Sequence, residues 1–365
     1  MQPSKESESL LRSMETAIHP NVLFIFADQL GAVWTGCYGN PDVQTPNLDR
    51  LAAQGTRFKN AYTASPLCTP YRGTLLTGRY PSQTGIIRNE CRIAPCEVTL
   101  ADCFNRAGYE TCYVGKWHIG GPPRGSRWVP PEVRAGFKGF VGWECSHVHH
   151  WHQTIYDQEC REPITMEHDT DGVTDFTLQR LRQLAQGESP FCLVVSHQAP
   201  HPVCKAPEPY AGMYRGKELH WRDNSQLEAV FDHYDCNIDA RTFLEDYLAE
   251  VTHLDAAIGH VLDEVERLGL ADNTIVAVTS DHGEMASSHG RYEKRVMYEE
   301  SIRVPVIVRL PGQAEGQVSA APVSSVDWIP TLLDACGIEA APTAEGVSFA
   351  PQLKDAGAPA GRDAV

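Results

Sequence analysis

Short apolar runs alternate with amphipathic segments along most of this chain. Residues Asn21–Ala27 form a continuous apolar run, which is typical of a strand buried on both faces. Residues 241–268 place apolar side chains three and four positions apart, which predicts the longest helix. Further strands are predicted at 56–62, 109–114, 191–195, 274–279 and 304–310, and further helices at 46–55, after Cys68, at 99–107, at 171–186 and at 326–336. The alternation predicts an α/β fold with a largely parallel sheet and helices on both faces.

Three segments interrupt this alternation. Residues 120–131 are rich in glycine and proline and are predicted to form a loop. Residues 136–170 and 203–240 show no clear apolar period, and we interpret both as inserted loops. The chain ends at residues 361–365 with a pattern that looks like the beginning of a further strand.

Polar residues gather where the predicted strands end. Asp28, His118, His201 and Asp281 each follow such a strand or its adjoining loop. Open α/β sheets bind ligands in the crevice outside the carboxyl ends of their strands. We therefore expect the functional site at this edge of the sheet.

Two dipeptides at strand ends supply candidate metal ligands. Asp28-Gln29 and Asp281-His282 each, taken alone, would more often be a polar strand-end loop. Together they offer two carboxylates, one amide oxygen and one imidazole. That donor set is suited to a divalent metal ion.

A loop punctuated by prolines delivers Cys68 to the start of a short predicted helix. Thr69 is a candidate cap, and Pro70 suits the first helical position. Cys68 would then lie beside free backbone N–H groups, and Arg72 and Arg79 would add positive charge suited to a tetrahedral oxyanion. An isolated cysteine in such a setting would be structural about as often as functional.

Three further candidates carry titratable or cationic side chains. Lys116 and His118 are two residues apart and would share one face of a strand-like segment. His201 lies between two prolines, and Lys294 lies in a run of charged residues. Alternatively, Lys116 could be a surface lysine and the two histidines could be packed in the core or in a loop. The charged run around Lys294 could equally be a solvated face.

Composition narrows the class of function and partner. The 365 residues carry a formal net charge of −16, so we expect neither a general nucleic-acid binder nor a protein of anionic membranes. Residues 1–20 are polar, without the apolar core of a signal peptide, and no run is long enough to cross a bilayer. With 12 scattered cysteines, these features lead us to expect a reducing, cytoplasmic location, unless a leader was removed.

The ordered motifs resemble those of the type I sulfatases in the alkaline phosphatase superfamily. The motifs are Ala-Asp-Gln, Cys-Thr-Pro-Tyr-Arg, Gly-Lys-Trp-His, Pro-His-Pro, Asp-His-Gly-Glu and Tyr-Glu-Glu-Ser-Ile-Arg-Val-Pro, in that order. The resemblance implies an alkaline-phosphatase-like α/β/α sandwich with a mostly parallel mixed sheet. It also implies a polar extension at 1–20, a catalytic domain at 21–337 and the start of a reduced C-terminal segment at 338–365.

The resemblance further implies the composition of the site. Cys68 would be converted to formylglycine by a maturation enzyme and would join Asp28, Gln29, Asp281 and His282 around one divalent ion. Many members carry Asp and Asn at the positions of Gln29 and His282, so Gln29 is the least certain ligand. Ca²⁺ is the expected ion, and the imidazole ligand makes Mn²⁺ the alternative.

The family mechanism assigns the remaining roles. Lys116, Lys294 and Arg72 would stabilise charge on the transferring group, while His201 would protonate the leaving alcohol. His118 would take the proton that releases sulfate. The alternatives are a phosphonate monoester or phosphodiester hydrolase, a non-catalytic oxyanion-binding protein, and a metal protein with a structural Cys68.

The motif residues would bind the sulfate group of an ester, and they do not indicate which alcohol carries that sulfate. We expect specificity in the segments 136–170 and 203–240 and predict a sulfated carbohydrate, small or oligomeric, as substrate. The residues that would contact it are Trp143, Trp151, Trp221, His147, His149, His150 and His152. The tryptophans could instead pack internally, and the histidines could form a second metal site. A homo-oligomer is left open.

Overall fold

A twisted mixed sheet organises the molecule. The structure is a computed structural model that describes residues 19–123, 125, 127–145, 150–158 and 162–363. In this part of the chain, eight strands form the main sheet in the order β12-β2-β11-β10-β1-β7-β3-β4. Within it only β11 runs antiparallel to its neighbours. The prediction of a mostly parallel mixed sheet is confirmed.

The strands and helices of the described residues have the following bounds. The strands are β1 Asn21–Ala27, β2 Thr56–Tyr62, β3 Glu110–Lys116, β4 Gly139–Trp143, β5 Thr154–Ile155, β6 Ile164–Thr165, β7 Phe191–Ser196, β8 Val230–His233, β9 Cys236–Asp239, β10 Thr274–Ser280, β11 Val306–Arg309 and β12 Gln317–Ser324. The helices are α1 Pro46–Gln54, α2 Cys68–Thr77, α3 Pro81–Thr84, α4 Leu100–Arg106, α5 Asp169–Leu184, α6 Ala240–Arg267, α7 Glu299–Ile302, α8 Trp328–Ala335 and α9 Ala350–Lys354.

Both faces of the sheet are covered, as its apolar strands require. Leu23 and Ile25 of β1 pack into one core with α1, α5 and α6. Phe24 and Phe26, which alternate with them, pack into a second core with α2, α4 and α8. Each core buries one face of the strands. The α/β/α sandwich is therefore confirmed.

Six strands lie where the sequence predicted none. The segment 136–170 contains β4, which pairs with β3 in the main sheet, and the short pair β5–β6. The segment 203–240 contains the hairpin β8–β9, and β12 closes the far edge beside β2. Gly142 lies inside β4 because a Cβ there would be 2.4 Å from the Gly115 carbonyl oxygen. Glycine inside a strand weakens the sequence signal, which explains why β4 was missed.

Within the described residues, no helix has the length and apolar character needed to cross a membrane.

Candidate active site

The site lies at the carboxyl ends of the adjacent parallel strands β1 and β10. Their register places Ala27 opposite Ser280, so the next residues, Asp28 and Asp281, lie side by side. Both side chains are fully buried. The expectation that strand-end residues would meet at one edge of the sheet agrees with this arrangement.

Cys68 reaches the same point as the first residue of α2. Its Sγ is 3.5 Å from Asp28 Oδ1 and 3.4 Å from His282 Nε2. Burial, aided by the charge of Asp28, raises the pKa of the Cys68 thiol. The residue therefore enters the site as a neutral thiol, which is a poor nucleophile.

The predicted cap of α2 is wrong. Leu67 is the residue before the helix, and the Thr69 hydroxyl donates a hydrogen bond to the His118 carbonyl at 2.7 Å. Pro70 accordingly lies within the first turn instead of opening it. Thr69 thus ties the start of α2 to the segment that follows β3.

Asp28, Cys68, Asp281 and His282 form a buried group of potential metal ligands. Their donor atoms lie within 4.8 Å of one another, and Asp281 Oδ2 has no hydrogen-bond partner. Burial lowers the pKa of His282 to about 3, so its imidazole is neutral. Two carboxylates and a neutral imidazole around an unpartnered oxygen fit a divalent metal ion.

Buried cations hold one of the two carboxyl groups ionised. Lys116 Nζ donates to Asp28 Oδ2 at 2.6 Å, and Arg72 Nη2 lies 3.4 Å from the same oxygen. Burial opposes ionisation of Asp28, but neighbouring positive charge, chiefly that of Lys116, outweighs it and keeps the pKa of Asp28 well below the usual range. Burial, and then the charge of Asp28, raises the pKa of Asp281 to about 7.

Arg72 acts mainly through its neighbours. Its Nη1 donates to the Lys116 carbonyl at 2.5 Å and to Ser196 Oγ at 2.8 Å. With Nη2 directed at Asp28, the guanidinium fixes the strand ends and the carboxylate. The predicted role of Arg72 in contacting the transferring group stays a prediction.

Lys294 and His201 form a second polar pair beside Gln29. Lys294 Nζ lies 3.1 Å from His201 Nε2 and donates to Gln29 Oε1. Gln29 Nε2 in turn donates to Glu284, a fully buried carboxyl to which the Asp-His-Gly-Glu motif assigned no role. The Gln29 amide is thus oriented by a donor on one side and an acceptor on the other.

His118 does not share a strand face with Lys116 as predicted. Strand β3 ends at Lys116, and His118 has a φ of 53°, so the chain turns at this residue. Glu144, which follows β4, holds the turn: its carbonyl accepts the His118 N–H at 3.0 Å and its carboxyl accepts the Gly120 N–H at 3.1 Å. Burial raises the pKa of Glu144 to about 7.

Several other predicted contacts are not found in the structure. Arg79 is paired with Glu97 at 2.8 Å and adds no charge to the buried group. Trp143 is fully buried within β4, so its predicted exposure to a sugar is wrong. His150 is buried and bonded to Asp169, whereas His152 is exposed. His147 and His149 lie outside the described residues.

Tyr234 is a site neighbour that sequence reasoning missed. It lies in the turn between β8 and β9, with its ring centroid 5.7 Å from that of His201 and its hydroxyl donating to Glu293. It is partly exposed, so the hairpin brings an aromatic surface to the entrance of the site. No local motif distinguishes a tyrosine of this kind in the sequence.

The fold and the buried group define a hydrolase of the alkaline phosphatase superfamily. The family model described as Sulfatase matches residues 20–338. The ulvan-active sulfatase of Formosa agariphila is 34% identical over 367 residues, which cover 99% of this chain and 70% of that protein. The chain belongs to the sulfatase family and is a sulfuric ester hydrolase.

Two solved structures extend the comparison. One is a complex with its substrate, D-glucosamine-2-N,6-O-disulfate; it has a TM-score of 0.82 and 25% identity, over 93% of this chain and 81% of that chain. The phosphonate monoester hydrolase of Silicibacter pomeroyi has a TM-score of 0.75 and 27% identity, over 92% of this chain and 76% of that chain. The same fold thus serves sulfate and phosphonate esters.

Replacing Lys116 by methionine tests the buried ion pair. The change leaves Asp28 buried without its nearest cation, so we expect a loss of about 3–5 kcal/mol in the free energy of unfolding in the presence of a chelator. The exposed pair of Arg50 with Asp263 provides the control, because Arg50→Met should cost no more than about 1 kcal/mol. Urea unfolding of both variants measures the difference. Equal costs would contradict the account of Asp28.

Glu144 should give a pH-dependent contribution to stability. Its folded pKa of about 7 lies above the ordinary value of 4.5, so the folded state binds the extra proton between these values. The free energy of unfolding should therefore fall as pH rises from about 4.5 to 7, and less steeply in Glu144→Gln than in the wild type. Urea midpoints at several pH values measure this. Identical slopes for the two proteins would refute it.

Proposed function

We propose that this sulfatase acts through a formylglycine at position 68, beside one divalent ion, on a sulfated carbohydrate. The observation that carries the proposal is the position of Cys68 Sγ, between Asp28 Oδ1 and His282 Nε2 in a wholly buried site. A neutral thiol there is a poor nucleophile, and a thiol has no second hydroxyl to expel sulfate. Oxidation by a maturation enzyme, with dioxygen as oxidant, would supply the aldehyde whose hydrate has two hydroxyls.

In the proposed first step, one hydroxyl of the hydrate at position 68 attacks sulfur. Asp281 accepts the proton of that hydroxyl, and the bond from sulfur to the ester oxygen breaks. The pair of His201 and Lys294 supplies the proton that the leaving alcohol takes up. The close contact of Lys294 Nζ with His201 Nε2 supports this shared role.

In the second step, the covalent sulfate is expelled. His118 accepts the proton of the remaining hydroxyl, the aldehyde C=O re-forms, and the bond from carbon to the sulfate oxygen breaks. Water then rehydrates the aldehyde. Lys116 holds Asp28 ionised throughout, and the hydrogen bonds of Glu144 keep the His118 turn in place.

Asp28, Asp281 and His282 would hold the divalent ion, with Gln29 Oε1 as the fourth ligand. The ion would polarise the sulfate oxygens and offset the repulsion between the two carboxylates. Oxygen donors favour Ca²⁺, and the one imidazole makes Mn²⁺ the competitor. The metal content of active protein distinguishes the two ions.

The entrance of the site favours a carbohydrate. The β8–β9 hairpin presents Tyr234 next to His201, where the leaving alcohol would lie, and Trp151 lies partly exposed in a neighbouring segment. Aromatic faces of this kind pack against the apolar faces of sugar rings. The curated relative named an ulvan-active sulfatase and the structure holding a glucosamine disulfate support the same substrate class.

Cys68→Ala and Asp281→Ala test the nucleophile and the ligand. In protein co-expressed with the maturation enzyme, each should lower kcat/KM for a sulfate ester by about a thousandfold or more, because each removes a group used in bond formation. Cys103→Ala, a buried cysteine of α4, is the matched control and should retain wild-type rates. Near-normal turnover in Cys68→Ala would exclude the proposed mechanism.

A substrate panel tests the carbohydrate. Sulfated mono- and oligosaccharides, p-nitrophenyl sulfate and a phosphonate monoester are compared by kcat/KM. We expect a sulfated sugar to be hydrolysed fastest, and Tyr234→Ala to reduce that rate about tenfold more than the p-nitrophenyl sulfate rate. Tyr234→Phe keeps the ring and serves as the control. A clear preference for the aryl or phosphonate substrate would overturn the carbohydrate assignment.

A further inference from the structure

A buried hydrogen-bond network joins Lys294, Gln29 and Glu284 beside the group of potential metal ligands. Lys294 Nζ donates to Gln29 Oε1, and Gln29 Nε2 donates to Glu284 Oε2. The side chains of Gln29 and Glu284 are fully buried, and that of Lys294 is nearly so. Glu284 takes no part in the proposed mechanism, so its place in this network needs another explanation.

The two ends of the network determine which way the Gln29 amide faces. A lysine ammonium group has only hydrogen-bond donors, so the amide atom beside Lys294 must be the oxygen. A carboxylate has only acceptors, so the amide atom beside Glu284 must be the nitrogen. Reversing the amide would set donor against donor and acceptor against acceptor in a buried site, where unsatisfied polar groups are costly.

A glutamine at position 29 needs this control because an amide has a single oxygen. A carboxylate there would present an oxygen in either orientation, whereas a reversed amide would present an NH₂ group, which cannot ligate a cation. The backbone of Gln29 is already fixed: its N–H donates to Asp281 Oδ1 at 2.9 Å, and its carbonyl oxygen accepts the Tyr247 hydroxyl at 2.6 Å. The orientation of the amide therefore depends on its own two partners.

The two oxygens of the Glu284 carboxylate have different partners. Oε1 accepts the backbone N–H groups of Ala286 at 2.8 Å and Glu293 at 2.7 Å, which closes the segment that leads to Lys294. Oε2 accepts the Gln29 amide. Glu284 therefore holds both the segment that carries Lys294 and the amide that Lys294 contacts.

We propose that Glu284 is a positioning residue, which fixes the Gln29 amide with its oxygen beside Lys294 and available to the divalent ion. The proposal rests on the proposed function in one respect, the binding of one such ion at this site. Hydrogen-bond partners that orient metal ligands typically contribute about 10–100-fold to metal affinity. For a glutamine the contribution is also directional, because the partner decides whether an oxygen or a nitrogen faces the ion.

The alternative is that Glu284 only closes the segment that leads to Lys294. Its Oε1 would then make the whole contribution, and the contact of Oε2 with Gln29 would be incidental. Glu284→Gln separates the two roles, because the new amide oxygen can keep both backbone hydrogen bonds while an NH₂ group replaces Oε2. That NH₂ group would face the Gln29 NH₂ group, so the Gln29 amide would have to reverse and turn its nitrogen toward Lys294.

The metal affinity of Glu284→Gln tests the proposal. Calcium chloride and manganese chloride are titrated separately into chelator-treated, full-length protein, and binding is followed by calorimetry. Burial raises the pKa of Glu284 to about 7, so the titrations are made about one pH unit higher, where the group is a carboxylate. We expect Glu284→Gln to bind the ion that the wild type prefers about tenfold more weakly, or worse. Glu245→Gln is the matched control and should keep the wild-type affinity, because this buried carboxylate is held by Arg215 and the Gly216 N–H.

A second background distinguishes orientation of the amide from a general structural role. Gln29→Glu places an acceptor on both sides of position 29, and its carboxylate would face Glu284 with like charge. In that background Glu284→Gln supplies a donor to the new carboxylate, so we expect the metal affinity to stay the same or to rise. A merely structural Glu284 would give the same loss of affinity in both backgrounds, and that result would overturn the proposal.

The titrations use neither substrate nor formylglycine, so their outcome is separable from that of the proposed function. Wild-type affinity in folded Glu284→Gln would overturn the positioning role and leave the sulfatase mechanism standing. A wild-type protein that binds neither ion would overturn both.

Neutron diffraction covers the case in which Glu284→Gln fails to fold. Crystals of the unsubstituted protein, loaded with the preferred ion and exchanged into heavy water, show the deuterium atoms of the Gln29 amide directly. We expect one of them to point at Glu284 Oε2, with the amide oxygen facing the ion. An amide whose deuterium atoms point away from Glu284 would overturn the proposal.

Discussion

The pair formed by Asp28 and Lys116 is the interaction on which the site depends. Parallel pairing of β1 with β10 brings Asp28 and Asp281 together in a fully buried site. Two adjacent buried carboxylates repel each other, and cations buried beside them offset this repulsion. Lys116 arrives from the end of β3, with its Nζ 2.6 Å from Asp28 Oδ2. The same pair of carboxyl groups makes the site receptive to a divalent ion and, through that ion, to an anionic ester.

The sequence predicts the central strands well because they are buried on both faces. The continuous apolar run of β1 matches the observed strand at both ends. The edge strand β4 was missed because two of its five residues are glycines, Gly139 against the Cys112 side chain and Gly142 against the Gly115 carbonyl oxygen. Strand β12 carries exposed and intermediate residues together with a proline, so it lacks the apolar run of a central strand.

The sequence predicted the site residues at the ends of strands. It did not predict the residues that position them through hydrogen bonds. Asp28, Cys68, Asp281 and His282 come from ordered motifs, and the topology of a parallel sheet brings them together. Glu144 and Glu284 received no role from the sequence, and only the structure shows the backbone and amide groups they hold. Residue type alone did not distinguish the buried Trp143 from the partly exposed Trp151, because tertiary packing determines the exposure of each side chain.

The most direct test of the account is the mass of the peptide that contains residue 68, measured across preparations with increasing amounts of the maturation enzyme. The account predicts a fraction in which cysteine has become formylglycine, and sulfate ester turnover that rises in proportion to that fraction. Unmodified Cys68 in a preparation with full turnover would contradict the central claim that a buried, neutral thiol must be converted before this site can act.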